Sequence, residues 1–259
     1  MALLEVEDID KRYGGIQALD SCCLSVERGE IAGLIGPNGS GKTTLFNVIT
    51  GYEKVRQGSV RLDGNEVTNL LPDRIFNRGV GRTFQLTRVF GRLTVMENML
   101  VASQHQRSWW GTAWRRAGSH GERKRALQLL EFVGIARLAE EPAANLSYGQ
   151  RKLLELAYVL MSDPELLLLD EPAGGVNPTL LNAISDHIKE LNRQGRTFLV
   201  VEHNMEFVMG LCHRVTVMDH GSTVVSGRPE QVRNDPRVLD AYLGVDDDLD
   251  DEEADAFHR

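Results

Sequence analysis

The sequence predicts an α/β fold: a mainly parallel sheet, with an N-terminal antiparallel β subdomain and an inserted α-helical subdomain. Three observations predict it. An unbroken apolar run, Ile31–Ile35, leads into a glycine-rich loop and then into a helix-compatible stretch from Lys42 to about Thr50. From Pro72 to Leu160 the periodicity is mainly helical. Beyond it, strand-like runs (Leu166–Leu169, Thr197–Val201, Val215–Met218) alternate with helix-like ones (Pro178–Arg193, Asn204–Leu211), the pattern of a parallel sheet covered by helices.

In chain order, Leu3–Val6 and Ala18–Val26 read as strands, and Ser59–Leu62 with the Asp63-Gly64 turn reads as one arm of a hairpin beside Val67. These pieces form the antiparallel subdomain. The helical subdomain spans about residues 86–162, with Val80–Phe84 as a strand before it and an irregular stretch from about Ser103 to Gly121 within it. A turn at His220-Gly221 and two short helices, Pro229–Arg233 and Pro236–Leu243, close a single domain of residues 1–245.

With 42% hydrophobic and 25% charged residues in 259, the chain can bury a substantial core, and its composition excludes a collagen-like, disordered or disulfide-stapled protein. No apolar run reaches the ~18–20 residues that span a bilayer, and no secretory leader is recognisable, so a cytoplasmic chain is expected. Cys22, Cys23 and Cys212 lack metal-ligand spacing and read as reduced, mostly buried thiols. The formal net charge of −8 falls almost wholly on residues 246–259, where eight acids face one arginine. That segment reads as a disordered acidic tail. The rest is within one charge of neutral, which argues against a nucleic-acid partner.

Gly36-Pro37-Asn38-Gly39-Ser40-Gly41-Lys42-Thr43 fits G-x-x-x-x-G-K-[ST], between a buried strand and a helix start, and Thr44 follows it. Its glycines let backbone amides turn toward phosphate oxygens, Lys42 reaches the β/γ-phosphates, and Thr43 offers a hydroxyl to Mg²⁺. The core is therefore of the P-loop nucleotide-hydrolase type.

Leu166–Leu169 followed by Asp170-Glu171 suits a central strand whose carboxyl end opens at the ligand crevice. Asp170 is the candidate Mg²⁺ ligand, and Glu171 the candidate for polarising an attacking water. In Leu146-Ser147-Tyr148-Gly149-Gln150, Ser147 occupies the N-cap of an amphipathic helix with Gly149 in its first turn. Spacing alone leaves two readings, a capped helix or a second anion site at a helix N-terminus.

The ordered set of Gly36–Thr43, Gln85 after Arg82-Thr83-Phe84, Leu146–Gln150, Leu169-Asp170-Glu171-Pro172 and His203 after Val200-Val201-Glu202 resembles the ATP-binding subunits of ABC transporters over about residues 1–245. The resemblance implies ATP and Mg²⁺ as ligands and assigns roles by position. Tyr13 stacks on adenine, Gln85 senses metal and nucleophile while coupling to the permease, and His203 clamps the γ-phosphate. Ser147, Gly149 and Gln150 belong to the signature that meets the opposite subunit's γ-phosphate. Phe46-Asn47, Gly81–Gln85, Tyr148 within the signature, Asn177-Pro178, Arg233-Asn234-Asp235-Pro236 and Ala241-Tyr242-Leu243-Gly244 look like the importer ATPases for branched-chain and other hydrophobic amino acids. Asn177 departs from the Asp usual across the wider family in a loop that signals across the dimer.

The resemblance implies an ATPase on the cytoplasmic face of the membrane, sandwiching two Mg·ATP head to tail with a second copy or a homologous subunit. It drives integral-membrane permease subunits and, through them, serves a solute-binding protein. A soluble relative acting in iron–sulfur assembly or DNA repair, and a lipopolysaccharide-export ATPase, are the competing readings; Arg82–Gln85 and Tyr148 favour import. Trp109, Trp110 and Trp114 beside Arg115 and Arg116 suit either packing among helices or a contact with permease or lipid.

Overall fold

A computed structural model describes residues 1–83, 89–103, 120–238 and 240–242. Gln85, the three tryptophans and the acidic tail lie outside the described residues. The chain divides into two compact units, one of Met1–Ile75 with the chain from Thr197 onward, the other of Phe76–Arg196.

The first unit opens with β1 (Ala2–Tyr13) and β2 (Ile16–Glu27), an antiparallel hairpin turning at Gly14-Gly15. Both strands exceed the predicted Leu3–Val6 and Ala18–Val26. For β1 the reason is local: Asp8 takes positive φ (48°), opposite the Ser21 region of β2 (φ 45°), and the register shifts between Val6 and Ile9. A bulge of this kind moves the inward side chains out of phase, so alternation looks finished at Val6 although Ile9 returns to the core. Asp10 Oδ1 accepts the Ser21 amide at 2.8 Å within the disturbed ladder.

β3 (Ile31–Ile35) is wholly buried and feeds the glycine-rich loop and α1 (Lys42–Ile49), which buries Leu45, Phe46, Val48 and Ile49. β4 (Gln57–Leu62) and β5 (Asn65–Glu66) complete an antiparallel sheet of order β2-β1-β4-β5. Their Asp63-Gly64 turn has positive φ at both residues (49° and 72°), the geometry that suits the twist of a two-residue hairpin. α2 (Pro72–Phe76) follows.

In the second unit, β6 (Val80–Arg82) pairs in parallel with β7 (Leu166–Asp170), whose residues are all buried. β6 is shorter than the predicted Val80–Phe84: Thr83 continues the ladder with one bond to Leu168 O (2.9 Å) but is no longer strand. Between them, α3 (Val95–Ser103), α4 (His120–Phe132) and α5 (Tyr148–Leu160) pack on one another, and Met99, Leu129, Leu130, Leu154 and Leu160 of these helices are buried. α6 (Pro178–Arg193) starts on Asn177, whose side chain accepts the Leu180 amide at 2.9 Å, with Pro178 at the first helical position.

The chain then returns to the first unit with β8 (Thr197–Val201), α7 (Met205–Leu211), β9 (Arg214–Asp219), β10 (Ser222–Gly227) and α8 (Pro229–Arg233). β3 lies between β8 and β9 and is parallel to both, while β10 returns antiparallel on β9 through the His220-Gly221 turn. Residues 236–238 and 240–242 are helical, within the predicted Pro236–Leu243 segment. Cys22 and Cys212 are buried, Cys23 is exposed, and all three are free. Among the described residues no helix is long and apolar enough to cross a membrane.

Candidate functional site

The loop from Gly36 to Gly41 is shaped by three left-handed or near-extended glycines, Gly36 (φ 151°), Gly39 (81°) and Gly41 (99°). At Gly36 a Cβ would meet the carbonyl oxygen of Met218 at 2.1 Å, and at Gly41 that of Ala18 at 2.5 Å, so neighbouring backbone rules out any side chain. At Gly39 a Cβ would meet nothing within 4 Å, leaving room beside the loop backbone. Gly41 is the N-cap of α1, with no side-chain cap and no acid in the first turn. The α1 amides are thus presented without a competing anion of their own, and the helix end carries a partial positive charge. Lys42 Nζ lies along the loop, donating to Gly36 O (2.8 Å), Pro37 O (2.7 Å) and Ser40 Oγ (3.2 Å). Amides, ammonium and the hydroxyls of Ser40, Thr43 and Thr44 make a donor set that fits a phosphate chain.

Tyr13, at the end of β1, lies near Thr44 of α1 and Glu53, and burial followed by the Glu53 charge pushes its hydroxyl up from the usual range. Its ring is half-exposed, with Lys11 Nζ 4.9 Å from the centroid. Lys11 also holds Glu53 at 2.7 Å, and that bond keeps the Glu53 carboxyl below its ordinary value. His203 leaves the end of β8, where the Glu202 amide donates to Leu34 O at 3.3 Å, one residue before β3 ends. The His203 side chain is exposed, while Glu202 is fully buried and its Oε2 accepts the His203 amide at 3.2 Å. The first unit therefore gathers Tyr13 at the helix that carries Thr44, and sets the His203 strand beside the strand entering the loop.

In the second unit β7 extends one residue beyond the predicted Leu169 and ends on Asp170, whose amide donates to Thr83 Oγ1 at 3.2 Å. Arg82 Nη2 is 3.0 Å from Asp170 Oδ2. Glu171 follows in the left-handed region (φ 49°), unusual for a residue with a long side chain, and its carbonyl closes a tight turn by accepting the Gly174 amide at 3.1 Å.

Ser147 caps α5 in a reciprocal box: the Gln150 amide donates to Ser147 Oγ (3.3 Å) and the Ser147 amide to Gln150 Oε1 (2.9 Å). The Ser147 hydroxyl accepts in this box and keeps its own proton to donate outward. Gly149 faces α6, where a Cβ would lie 2.2 Å from Leu180 Cδ2. Ser147, Gly149, Gln150, Asp170 and Glu171 thus share one unit; Gln85 lies outside the described residues. Two partners had no periodic signal in the sequence. Arg82 appears there as part of a motif string, and Lys152, buried in α5, donates to Glu171 O at 2.9 Å. A lysine at a core-facing helical position was the available sign.

The chain matches the ABC transporter family over residues 19–174 and the branched-chain amino acid ATP-binding cassette transporter family over residues 223–248. It is 41% identical to the high-affinity branched-chain amino acid transport ATP-binding protein LivG of Salmonella typhimurium, covering 93% of this chain and 98% of that one. With a probable LivG of Archaeoglobus fulgidus it shares 37% identity over 95% and 97% of the two chains. The crystal structure of the ADP conformation of an ABC transporter ATP-binding cassette superposes with TM-score 0.85 at 36% identity, covering 94% and 99%. A dimeric bacterial ABC transporter cassette superposes with TM-score 0.77 at 27% identity, covering 87% and 98%. The chain belongs to the ABC transporter family, as an ATP-binding and ATP-hydrolysing subunit closely related to the branched-chain amino acid transport ATP-binding proteins.

Proposed function

We propose that this subunit energises an importer of branched-chain or other hydrophobic amino acids from the cytoplasmic face of the membrane, docked on integral-membrane permease subunits that a solute-binding protein supplies. The single observation carrying the solute class is 41% identity across nearly the whole of both chains to a LivG protein, supported by the C-terminal match at residues 223–248.

Gly36, Pro37, Asn38, Gly39, Ser40, Gly41, Lys42, Thr43 and Thr44 hold the phosphates of ATP, with Tyr13 against the adenine. Thr43, Asp170 and Gln85 hold Mg²⁺, which when bound neutralises charge on the phosphate oxygens. The Arg82 pair and the Thr83 hydrogen bond fix the Asp170 carboxylate and backbone. Glu171 orients and partly deprotonates the attacking water, and His203 contacts the γ-phosphate. Ser147, Gly149 and Gln150 complete the site of a second copy or a homologous ATPase in a head-to-tail dimer. Dimeric related cassettes support that assembly. The near-neutral body has no global basic field to attract nucleic acid.

Deleting the chromosomal copy in the source cell and measuring ATP-dependent uptake of labelled leucine, isoleucine and valine tests the solute class. Loss restored by the wild-type chain and not by Lys42→Ala supports it. Unchanged uptake overturns it.

A further inference from the structure

We propose that Lys152 is a positioning residue for Glu171: its ammonium fixes the backbone that carries the catalytic carboxylate and ties it to the helix bearing Ser147 and Gly149. The inference rests on the reading of Glu171 as the base and of the α5 N-terminus as the part that completes the partner's site.

Lys152 is the one buried lysine among the described residues, and its Nζ donates to Glu171 O at 2.9 Å. That oxygen also accepts the Gly174 amide at 3.1 Å, so the two donors occupy both of its lone pairs. A glutamate at φ 49° is held there by its surroundings rather than by its own preference, and these two bonds grip its carbonyl. The same lysine sits 5.7 Å from the centre of the Tyr148 ring, and Tyr148 packs on Gly175, whose Cβ would lie 3.1 Å from that ring. Gly149 abuts Leu180 in turn. Residues 148, 149 and 152, on one face of the first turns of α5, therefore run along the segment from Glu171 to Leu180.

Burying an ammonium is costly, and an apolar side chain of similar length would fill the same space. What it adds is a charged donor aimed at one carbonyl. Because α5 also carries Ser147 and Gly149, a shift of this helix on meeting a partner's phosphate reaches the peptide of Glu171 directly. The base of one site is thereby linked to the signature of the other.

The test uses the purified full chain carrying Lys152→Met or Lys152→Arg, alone and combined with Glu171→Gln. It records kcat, KM for ATP and the affinity for a fluorescent ATP analogue. Lys152→Met is expected to lower kcat about tenfold or more while KM and affinity stay within about twofold, with Lys152→Arg restoring most of the rate. On the Glu171→Gln background, Lys152→Met is expected to lower the residual rate by less than about twofold, because the two residues act as one unit. If Lys152→Met fails to fold, Lys152→Gln, which keeps a neutral donor, carries the same comparisons. A Lys152 variant that lowers the Glu171→Gln rate by its full single-mutant factor shows a general structural role and overturns the link. An inactive Glu171→Gln beside a fully active Lys152→Met overturns the link alone. Glu171→Gln with wild-type turnover overturns the base reading, and the link with it.

Discussion

Arg82 and Asp170 meet at 3.0 Å where two paired strands of the second unit end, with side chains only 8% and 6% exposed. A buried pair of this kind adds little net stability over an apolar pair, but removing one partner strands the other charge in a medium that solvates it poorly. Arg82→Met is therefore expected to lower the unfolding free energy by about 3–5 kcal/mol in urea titration. A loss under about 1 kcal/mol would show that Asp170 is adequately held without the guanidinium.

The loop glycines are expected to differ in why they are glycine. Gly39→Ala meets no neighbour and pays only for a left-handed backbone, about 1–2 kcal/mol. Gly36→Ala drives a Cβ to 2.1 Å from a backbone oxygen, which no rotamer relieves, so its loss is expected to exceed that of Gly39→Ala by about 1–3 kcal/mol. Equal losses in parallel urea titrations would refute the steric distinction.

Burial pushes the Cys22 thiol up to about 11 and the Cys212 thiol up to about 12, while Cys23 is exposed. In native protein near pH 8 one thiol is expected to react with an aromatic disulfide reagent, and all three in urea. Both folded-state values are raised, so unfolded thiols lose protons first, and stability that is complete below about pH 8.5 falls as pH rises toward 11–12. Two or three fast-reacting thiols in the native state would contradict the burial.

Removing residues 246–259 is expected to leave the melting temperature and ATP turnover unchanged within error, because a segment with eight acids has little apolar surface to bury. A change in turnover would mean that the tail touches the working parts.

The parts most legible in the sequence are those whose chemistry is local. Gly36–Thr43 is a contiguous string, Ser147 reads as the N-cap of an amphipathic helix, and the buried runs of β3 and β7 announce central strands. What escaped is long-range or irregular. The pairing of Arg82 with Asp170 spans 88 positions, and nothing in either segment signals it. The sequence shows only the first half of β1, because a single residue at positive φ, Asp8, breaks the alternation that marks a strand. Lys152 reads as an interruption of an apolar helix face, and only the carbonyl of Glu171 explains it.

If Glu171 is the base, as proposed, Glu171→Gln removes it and preserves size and hydrogen bonding, so binding and chemistry separate in one variant. Hydrolysis by the purified protein, followed together with its size-exclusion mobility with and without Mg·ATP, measures both. The expected result is turnover slower by about a hundredfold or more, with an ATP-dependent shift to dimer that adding Ser147→Arg abolishes. Wild-type turnover in Glu171→Gln, or a Ser147→Arg double variant that dimerises as well as the single one, would contradict an ATPase whose base and signature serve two shared sites.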